Sequence, residues 1–365
     1  MSVETTPVAT MLDPRDPRYR PEPRVIRLPQ WRGWPGEKPE LFLERREEWR
    51  VVHPIFIASL EALRDGGGFE EAVRRSIPLG GVLNEKHIRI YLRRHFLQLA
   101  NDGHLEIPLP PAPEVFHDRY VRVKEIGRGG VGIAHLCQDK RTGANVVVKH
   151  AWGWLAPIDR ADKTMREEDE ALKAFDHPGI PRRIEGFERD GLLHIARDYV
   201  EGEPIAARIS RERPPPRAER LRLLLAVAGI VEHMHGRGYL FLDPTPNNFI
   251  LRPDGQVVVI DVGICRRHEN GRALRQGQAG SRGYAAPEVV ARENIGVWSD
   301  VFSIACLHYF LATGKQSGHT WTPAERAEHV AKLDVPEDER SLMLACWSAD
   351  PAARPTMAEV VAALR

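Results

Sequence analysis

Three glycines at the spacing Gly127-x-Gly129-x-x-Gly132 stand in EIGRGGVGIAHL, between two apolar, β-branched stretches. Glycine at such positions lets a backbone fold over phosphates, where any Cβ would hold the amides away. Dinucleotide-binding turns share this spacing, but there a helix follows the glycines; here a strand follows, which argues against a dinucleotide fold. Lys149 ends the apolar strand VVVKH. A lysine so placed either snorkels to water or reaches the α- and β-phosphates of a nucleotide. Glu168, four positions before Leu172 on an acidic amphipathic stretch, is placed to orient that ammonium, with Glu167, Asp169 and Glu170 crowding it. Farther on, GYLFLDPTPNNFIL carries Asp243, then Asn248 five positions later, then an apolar pair. That order fits a phosphoryl-transfer loop, although many surface loops also carry Asp, Pro and Asn.

The elements that must hold these residues follow from periodicity. YVRVKEIG, GIAHLCQD and NVVVKHA alternate or run apolar in β-branched residues, with the turn KRTGAN between the last two, and predict a β-meander. A helix is expected around TMREEDEALKAF, strands near RRIEGFERD and LLHIARDYV, and mainly helices from Pro204 onward. Upstream, Pro and Arg dominate residues 1–40 and predict a mostly irregular arm. Residues 41–112 predict a small helical module of winged-helix-like outline. A helical run from Leu41 stops at Gly66–Gly68; FEEAVRRS follows; Ile88, Leu92, Phe96 and Leu99 then stand at helical spacing before the short strand HLEIPL. The Pro-rich PPAPEV is a stiff joint to the rest.

The chain has 365 residues, 42% hydrophobic and 28% charged, enough to bury one large core or two moderate ones. A formal net charge of +1 gives no global reason to expect nucleic acid or an acidic membrane as partner. Cys137, Cys265, Cys306 and Cys346 are far apart in sequence, so neither a zinc site nor a disulfide framework is suggested, in keeping with a reducing cytoplasm. The opening MSVETTPVATMLDPRD lacks a basic region followed by an apolar one, and no run reaches the roughly 18 apolar residues of a spanning helix. A cytoplasmic protein is expected.

These residues resemble the protein kinase family, and the resemblance runs from about residue 120 to 365. DYVEGEPI resembles the family's adenine-binding hinge, which implies Asp198 and Val200 as nucleotide contacts beside Gly127, Gly129, Gly132 and Lys149. FLDPTPNN is similar to the catalytic loop, which implies Asp243 as the base and Asn248 as a metal ligand. VVVIDVGI looks like the DFG segment with Val262 in place of Phe, so Asp261 would hold Mg²⁺. GSRGYAAPE resembles the end of an activation segment, WSDVFSIACLHYFLATGK the buried helix after it with Asp300 as anchoring acid, and CWSADPAARPTMAEVV the closing helices. In that pattern Arg354 pairs with Glu288. The resemblance implies an α+β, two-lobed fold, with a β-rich small lobe over 113–200 and a helical large lobe over 201–365. It further implies an ATP- and Mg²⁺-dependent protein kinase acting on Ser or Thr of a protein or peptide, with Lys149, Glu168 and Asp243 as its catalytic residues.

The departures from the pattern are informative. Phe241 and Leu242 stand where the family carries His and Arg, and Thr245 stands where it carries Lys. Without an Arg at Leu242 the loop lacks the cation that a phosphorylated segment engages. Thr245 removes a positive charge near the transferring phosphoryl group, for which Arg266, Arg267, Arg272 and Arg275 are substitutes unless they form a solvated loop. Arg197 falls at the back of the nucleotide pocket, where a buried guanidinium needs an acid, Glu168 or Asp261. Two other functions stay open, a pseudokinase scaffold and a small-molecule kinase. For the N-terminal module three readings stand: a surface that docks a partner or substrate, a DNA-binding face built on Arg74, Arg75, Lys86, Arg89, Arg93 and Arg94, or an extension docked on the kinase domain.

Overall fold

The computed structural model describes residues 24–32, 40–43, 48–81, 83–101, 104–106, 114–129, 132–152, 158–211, 214–275, 280–281, 283–317 and 321–365. The chain forms two compact units. One comprises 1–144, 148–163 and 187–194; the other comprises 145–147, 164–186 and 195–365. Most of the arm over 1–40 lies outside the described residues, as does the joint at 107–113. Within the arm, Arg24–Val25 pairs antiparallel with Leu105–Glu106, and Trp31–Arg32 pairs with Glu40–Leu41.

The helical run expected from Leu41 begins later. Glu40–Leu43 and Glu48–Val51 form an antiparallel hairpin, and the first helix spans Pro54–Arg64. Proline is tolerated in the first helical turn because its missing N–H has no intrahelical acceptor there, whereas mid-helix it would break the ladder. His53 caps that turn, its ring accepting from the Ile55 amide at 3.4 Å. Helices Phe69–Ser76 and Glu85–Asn101 complete the module. Ile57, Leu60, Ala72, Ile88, Leu92 and Phe96 are fully buried in its core. That core also takes in Ile133 and Trp152, which belong to the following domain. The module thus shares an apolar core with those two residues. Four of the five arginines named for a DNA-binding face are engaged internally, Arg74 with Glu71 at 2.6 Å, Arg75 with Asp65 at 2.6 Å, Arg89 with Glu70 at 2.7 Å, and Arg93 over the Phe69 ring, whereas Arg94 is exposed. Such pairing removes most of the charge a DNA-binding face would present. The Lys86 side chain lies outside the described residues.

Beyond the joint, a six-stranded sheet runs in the order Arg183–Arg189, Leu192–Asp198, Asn145–Ala151, Gly132–Asp139, Tyr120–Arg128, Val115–Phe116. The helix expected around Thr164 starts earlier and spans Ile158–Ala174. In the first unit, one face of these strands carries a stack of rings: His135 on His150 with centroids 5.3 Å apart, His150 on His194 at 4.9 Å, and Phe116 beside all three. The tautomers follow from the partners. His150 Nδ1 and His194 Nδ1 must donate to the carbonyls of Ala151 and Leu192, at 3.0 and 3.1 Å. Neutral His150 then offers Nε2 as an acceptor, so His135 donates to it at 3.2 Å and keeps a bare Nδ1, for which the described residues supply no partner. Burial pushes His135 down to about 3 and His194 to about 4, and lowers His150 as well.

The second unit is mainly helical. Val297–Thr313 is buried on nearly every face and packs against Arg217–Gly236, Glu337–Cys346 and Met357–Ala363. Its Asp300 is fully buried. Glu288 and Arg354 form a bidentate pair, Nη1 to Oε1 at 2.6 Å and Nη2 to Oε2 at 3.1 Å. The Ser299 hydroxyl also donates to Glu288, and Arg354 donates to the carbonyls of Trp298 and Ser348 at 3.0 Å. All four cysteines are buried free thiols. Among the described residues no helix is long and apolar enough to cross a membrane.

Two outcomes are expected. Arg354→Ala leaves Glu288 buried without its cation and should cost about 3–5 kcal/mol, read as a lowered urea midpoint. The histidine stack should make the fold acid-sensitive. Below the unfolded value near 6.5 an unfolded chain takes up protons that the folded His135 and His194 refuse until about 3 and about 4, so stability falls as pH drops from about 6.5 into that range. Urea unfolding at pH 7 and pH 5 should show a smaller loss for His194→Gln than for the parent.

Candidate active site

In the first unit, Gly127 lies in strand Tyr120–Arg128 and Gly132 opens the next. The Gly129 amide donates to the Gly132 carbonyl at 2.8 Å and closes the turn between them, whose tip, Gly130 and Val131, lies outside the described residues. A Cβ added to Gly127 would meet nothing within 4 Å, and one on Gly129 only the Gly132 carbonyl at 3.6 Å. Packing among the described residues thus does not demand glycine at these two positions. Lys149 is half-buried in strand Asn145–Ala151.

In the second unit the remaining residues are set by one short hairpin. Phe249–Leu251 pairs antiparallel with Val257–Val259, Phe249 facing Val259. At its open end the Ile260 amide donates to the Asn248 carbonyl at 2.8 Å, which brings Asn248 alongside the backbone leading into Asp261. Asn248 Nδ2 donates to the Asp243 carboxylate at 2.8 Å and to the Asp243 carbonyl at 2.9 Å. Its amide oxygen is thereby turned away and left available as a donor to a cation. Asp261 is exposed, one oxygen accepting from the Gly263 amide at 2.9 Å.

Glu168 separates itself from its acidic neighbours. Asp169 binds Arg183 at 2.6 Å, Glu170 binds Lys173 at 2.7 Å, and Glu167 binds Arg275 at 3.0 Å. Glu168 is 2% exposed and turns to Gly263, where an added Cβ would lie 2.9 Å from its Oε2 and 3.1 Å from Asp261 Oδ1. Two carboxylates close on that glycine, so any side chain there would collide with them. Arg197 is buried and donates to the Ile260 carbonyl at 2.8 Å. Burial pushes the Arg197 guanidinium below its ordinary value, while Glu168 foremost, then Asp261, draw it back up. Arg197 is thus an internal cation beside the two acids.

The altered letters of the loop also find their places. Phe241 and Leu242 are core residues, Phe241 packing edge-on against Phe249 with centroids 5.7 Å apart. Leu242 adopts φ +65°, a left-handed backbone that costs a non-glycine residue about 1 kcal/mol or more. Asp300 holds it there: its carboxylate accepts from the amides of Phe241 at 2.9 Å and Leu242 at 2.6 Å, and bonds His235 Nε2 at 2.8 Å. Thr245 is buried, its amide turned back to the Asp243 carbonyl at 2.7 Å. The four arginines proposed as substitute cations are engaged elsewhere. Arg267 stacks on Tyr239, Arg272 lies over Trp298, Arg275 pairs with Glu167, and Arg266 donates to the Arg275 carbonyl.

One participant, Ser281, is given no role by any of the motifs. The Ser281 amide donates to Asp243 Oδ1 at 2.9 Å, and its hydroxyl bonds the same carboxylate. Asp243 therefore has one oxygen fixed by Ser281 and the other by Asn248. Burial pushes its pKa above the ordinary aspartate value, against the pull of those bonds. Asp198 donates its amide to the Arg182 carbonyl at 3.0 Å, and Val200 lies just past the strand, half-exposed.

Comparison with known proteins settles the family. The protein kinase domain family matches residues 120–363, more than half of the chain. The chain belongs to the protein kinase family. It is 27% identical over 258 residues to sperm motility kinase 2B of Mus musculus, covering 68% of this chain and 52% of that protein. It is 30% identical over 278 residues to the probable serine/threonine-protein kinase PkwA of Thermomonospora curvata, covering 70% of this chain and 35% of the relative. With serine/threonine-protein kinase PknB of Mycobacterium leprae the identity is 26% over 235 residues, 62% of this chain and 38% of the relative. The chain spans about half or less of the length of these relatives. The two-lobed kinase fold expected from the motifs is the fold of the chain. The N-terminal module lies outside the matched region.

Asp300→Asn should test what fixes the loop. Replacing one acceptor oxygen by an NH₂ group leaves a buried amide facing a donor, at a cost of about 1–3 kcal/mol. Hydrogen exchange at the Phe241 and Leu242 amides should accelerate more than at amides of the distant helix Met357–Ala363.

Proposed function

We propose that this protein is an ATP-dependent kinase that transfers the γ-phosphoryl group to Ser or Thr of a protein or peptide, through a catalytic loop of non-RD type. The observation that carries this reading is the doubly fixed Asp243. Its carboxylate is held on one side by Asn248 and on the other by Ser281, with a pKa raised by burial. A base held at both oxygens is oriented before any acceptor arrives, and a raised pKa favours accepting a proton.

The residues suit the cofactors. Asn248 and Asp261 offer neutral and anionic oxygens at one hairpin end, the donor set a hard cation such as Mg²⁺ takes. When bound, Mg²⁺ neutralises phosphate charge and ATP supplies the transferable phosphoryl group. Gly127, Gly129 and Gly132 let amides approach the phosphates, and Lys149 adds a cation, with Glu168 to orient it. Asp198 and Val200 offer backbone groups to the adenine. Asp243 aligns the acceptor hydroxyl and takes its proton. Arg197 is an additional fixed cation on the side of Asp261. The relatives named above as serine/threonine-protein kinases support the choice of Ser and Thr as acceptors.

Three variants separate binding from chemistry. Asp243→Asn should slow transfer by about 10²–10⁴-fold with nucleotide affinity near that of the parent. Asp261→Asn should also weaken Mg²⁺-dependent ATP binding, measured by calorimetry. Thr245→Lys, which adds the cation this loop lacks, should raise the transfer rate. A parent that binds Mg²⁺ and ATP tightly yet transfers no phosphate to itself or to protein substrates would instead identify a pseudokinase.

A further inference from the structure

The apolar core of the N-terminal module reaches residues close in sequence to Gly132 and Lys149. Ile133 directly follows Gly132, the third glycine, and Trp152 lies three positions after Lys149. Both are nearly inaccessible, at 3% and 5%, and both belong to the apolar cluster built by the module's three helices. Side chains alternate across a strand, so Ile133 and His135 share one face of strand Gly132–Asp139, while Ala134 takes the other. In the neighbouring strand His150 continues toward Trp152 on one face, and Lys149 points to the opposite face. The bond between His135 and His150 fixes which faces match. The module thus covers the sheet from behind Lys149 and the glycine turn, at the two points where the chain enters or leaves those elements. Arg128, between Gly127 and Gly129, lies over the Trp152 ring at 5.2 Å and ties the near side of the turn to the same anchor.

We propose that the N-terminal module is a positioning element of the nucleotide site. Gripping Ile133 and Trp152, it restrains the strand residues that flank the glycine turn, Gly127–Gly129 and Gly132–Leu136, and so sets ATP affinity, while Trp152 itself touches no reacting group. A glycine-rich hairpin loses more conformational freedom on ordering than any other segment of equal length. Prior restraint from behind lowers the cost of ordering it around phosphates. The proposal rests on reading Gly127–Gly132 as the phosphate loop.

The test uses the full chain with Trp152→Ala, Trp152→Phe and the milder Ile133→Val. Hydrogen exchange is read without nucleotide at the amides of Gly127–Gly129 and Gly132–Leu136. ATP binding and steady-state kinetics follow. Trp152→Ala should speed exchange at the turn and raise the KM for ATP by about 10-fold or more, with kcat at saturating ATP changed much less. Trp152→Phe, which keeps an aromatic ring in the core, should recover most of both effects, and Ile133→Val should show the same split at smaller size. Unaltered exchange at the turn together with parental ATP affinity, in Trp152→Ala or in Ile133→Val should the former not fold, would overturn the proposal. If the parent bound no nucleotide, the phosphate-loop reading would fall, while the exchange data would still decide whether the module restrains the turn.

Discussion

A single buried carboxylate organises the large lobe. Asp300 has no solvent exposure, yet it satisfies two backbone amides and a histidine at once. Burying a charge without such partners is prohibitive, so Asp300 can exist only if residues 241 and 242 come to it. They do so at the expense of a left-handed backbone at Leu242. That twist delivers Asp243 to Asn248 and Ser281. The kinase family's usual His and Arg are absent from this stretch, and their absence costs the loop little, because its shape is fixed through main-chain amides that any residue possesses. Phe241 and Leu242 contribute packing, and the core accepts them as it would any well-fitting apolar pair.

The charges around Asp261 follow the same logic of mutual confinement. Glu168 and Asp261 close on Gly263, and Arg197 sits behind them, bonded to the carbonyl that precedes Asp261. Two acids brought together repel unless a cation stands near. Within this unit that cation is an arginine supplied from the interior. Its pKa is high enough to stay charged even when burial opposes it, which is why arginine suits this place better than lysine.

How much of this was legible beforehand depends on the kind of interaction. The contact of Asp243 with Asn248 and the pair Glu288 and Arg354 are readable because hydrogen-bonding or ionic demands restrict each position to few residue types. The hairpin at Glu40–Val51 was misread as helix, since its alternating apolar residues are few and a charged run within it carries a helical period; Pro54 marked the true start. The role of Ser281 was not legible, because one of its two bonds to Asp243 uses a backbone amide, a group every residue carries. Arg197 was noticed and its neighbours named, but only the fold shows that it bonds the Ile260 carbonyl. The histidine stack and the anchoring of Trp152 were invisible: each joins residues far apart in sequence through packing alone, and packing leaves no motif.

The shared core also imposes an order on biosynthesis. Helices Pro54–Arg64, Phe69–Ser76 and Glu85–Asn101 are made well before Trp152, the last residue needed to close their apolar surface. At translation rates of about 5–20 residues per second, the nascent module leaves the ribosome with that surface incomplete for an interval on the order of seconds. Its maturation is thus delayed until the strand bearing Lys149 has been synthesised. A chain interrupted at the Pro-rich joint would release a helical fragment with an uncovered greasy patch, a substrate for chaperones and proteases rather than a finished domain.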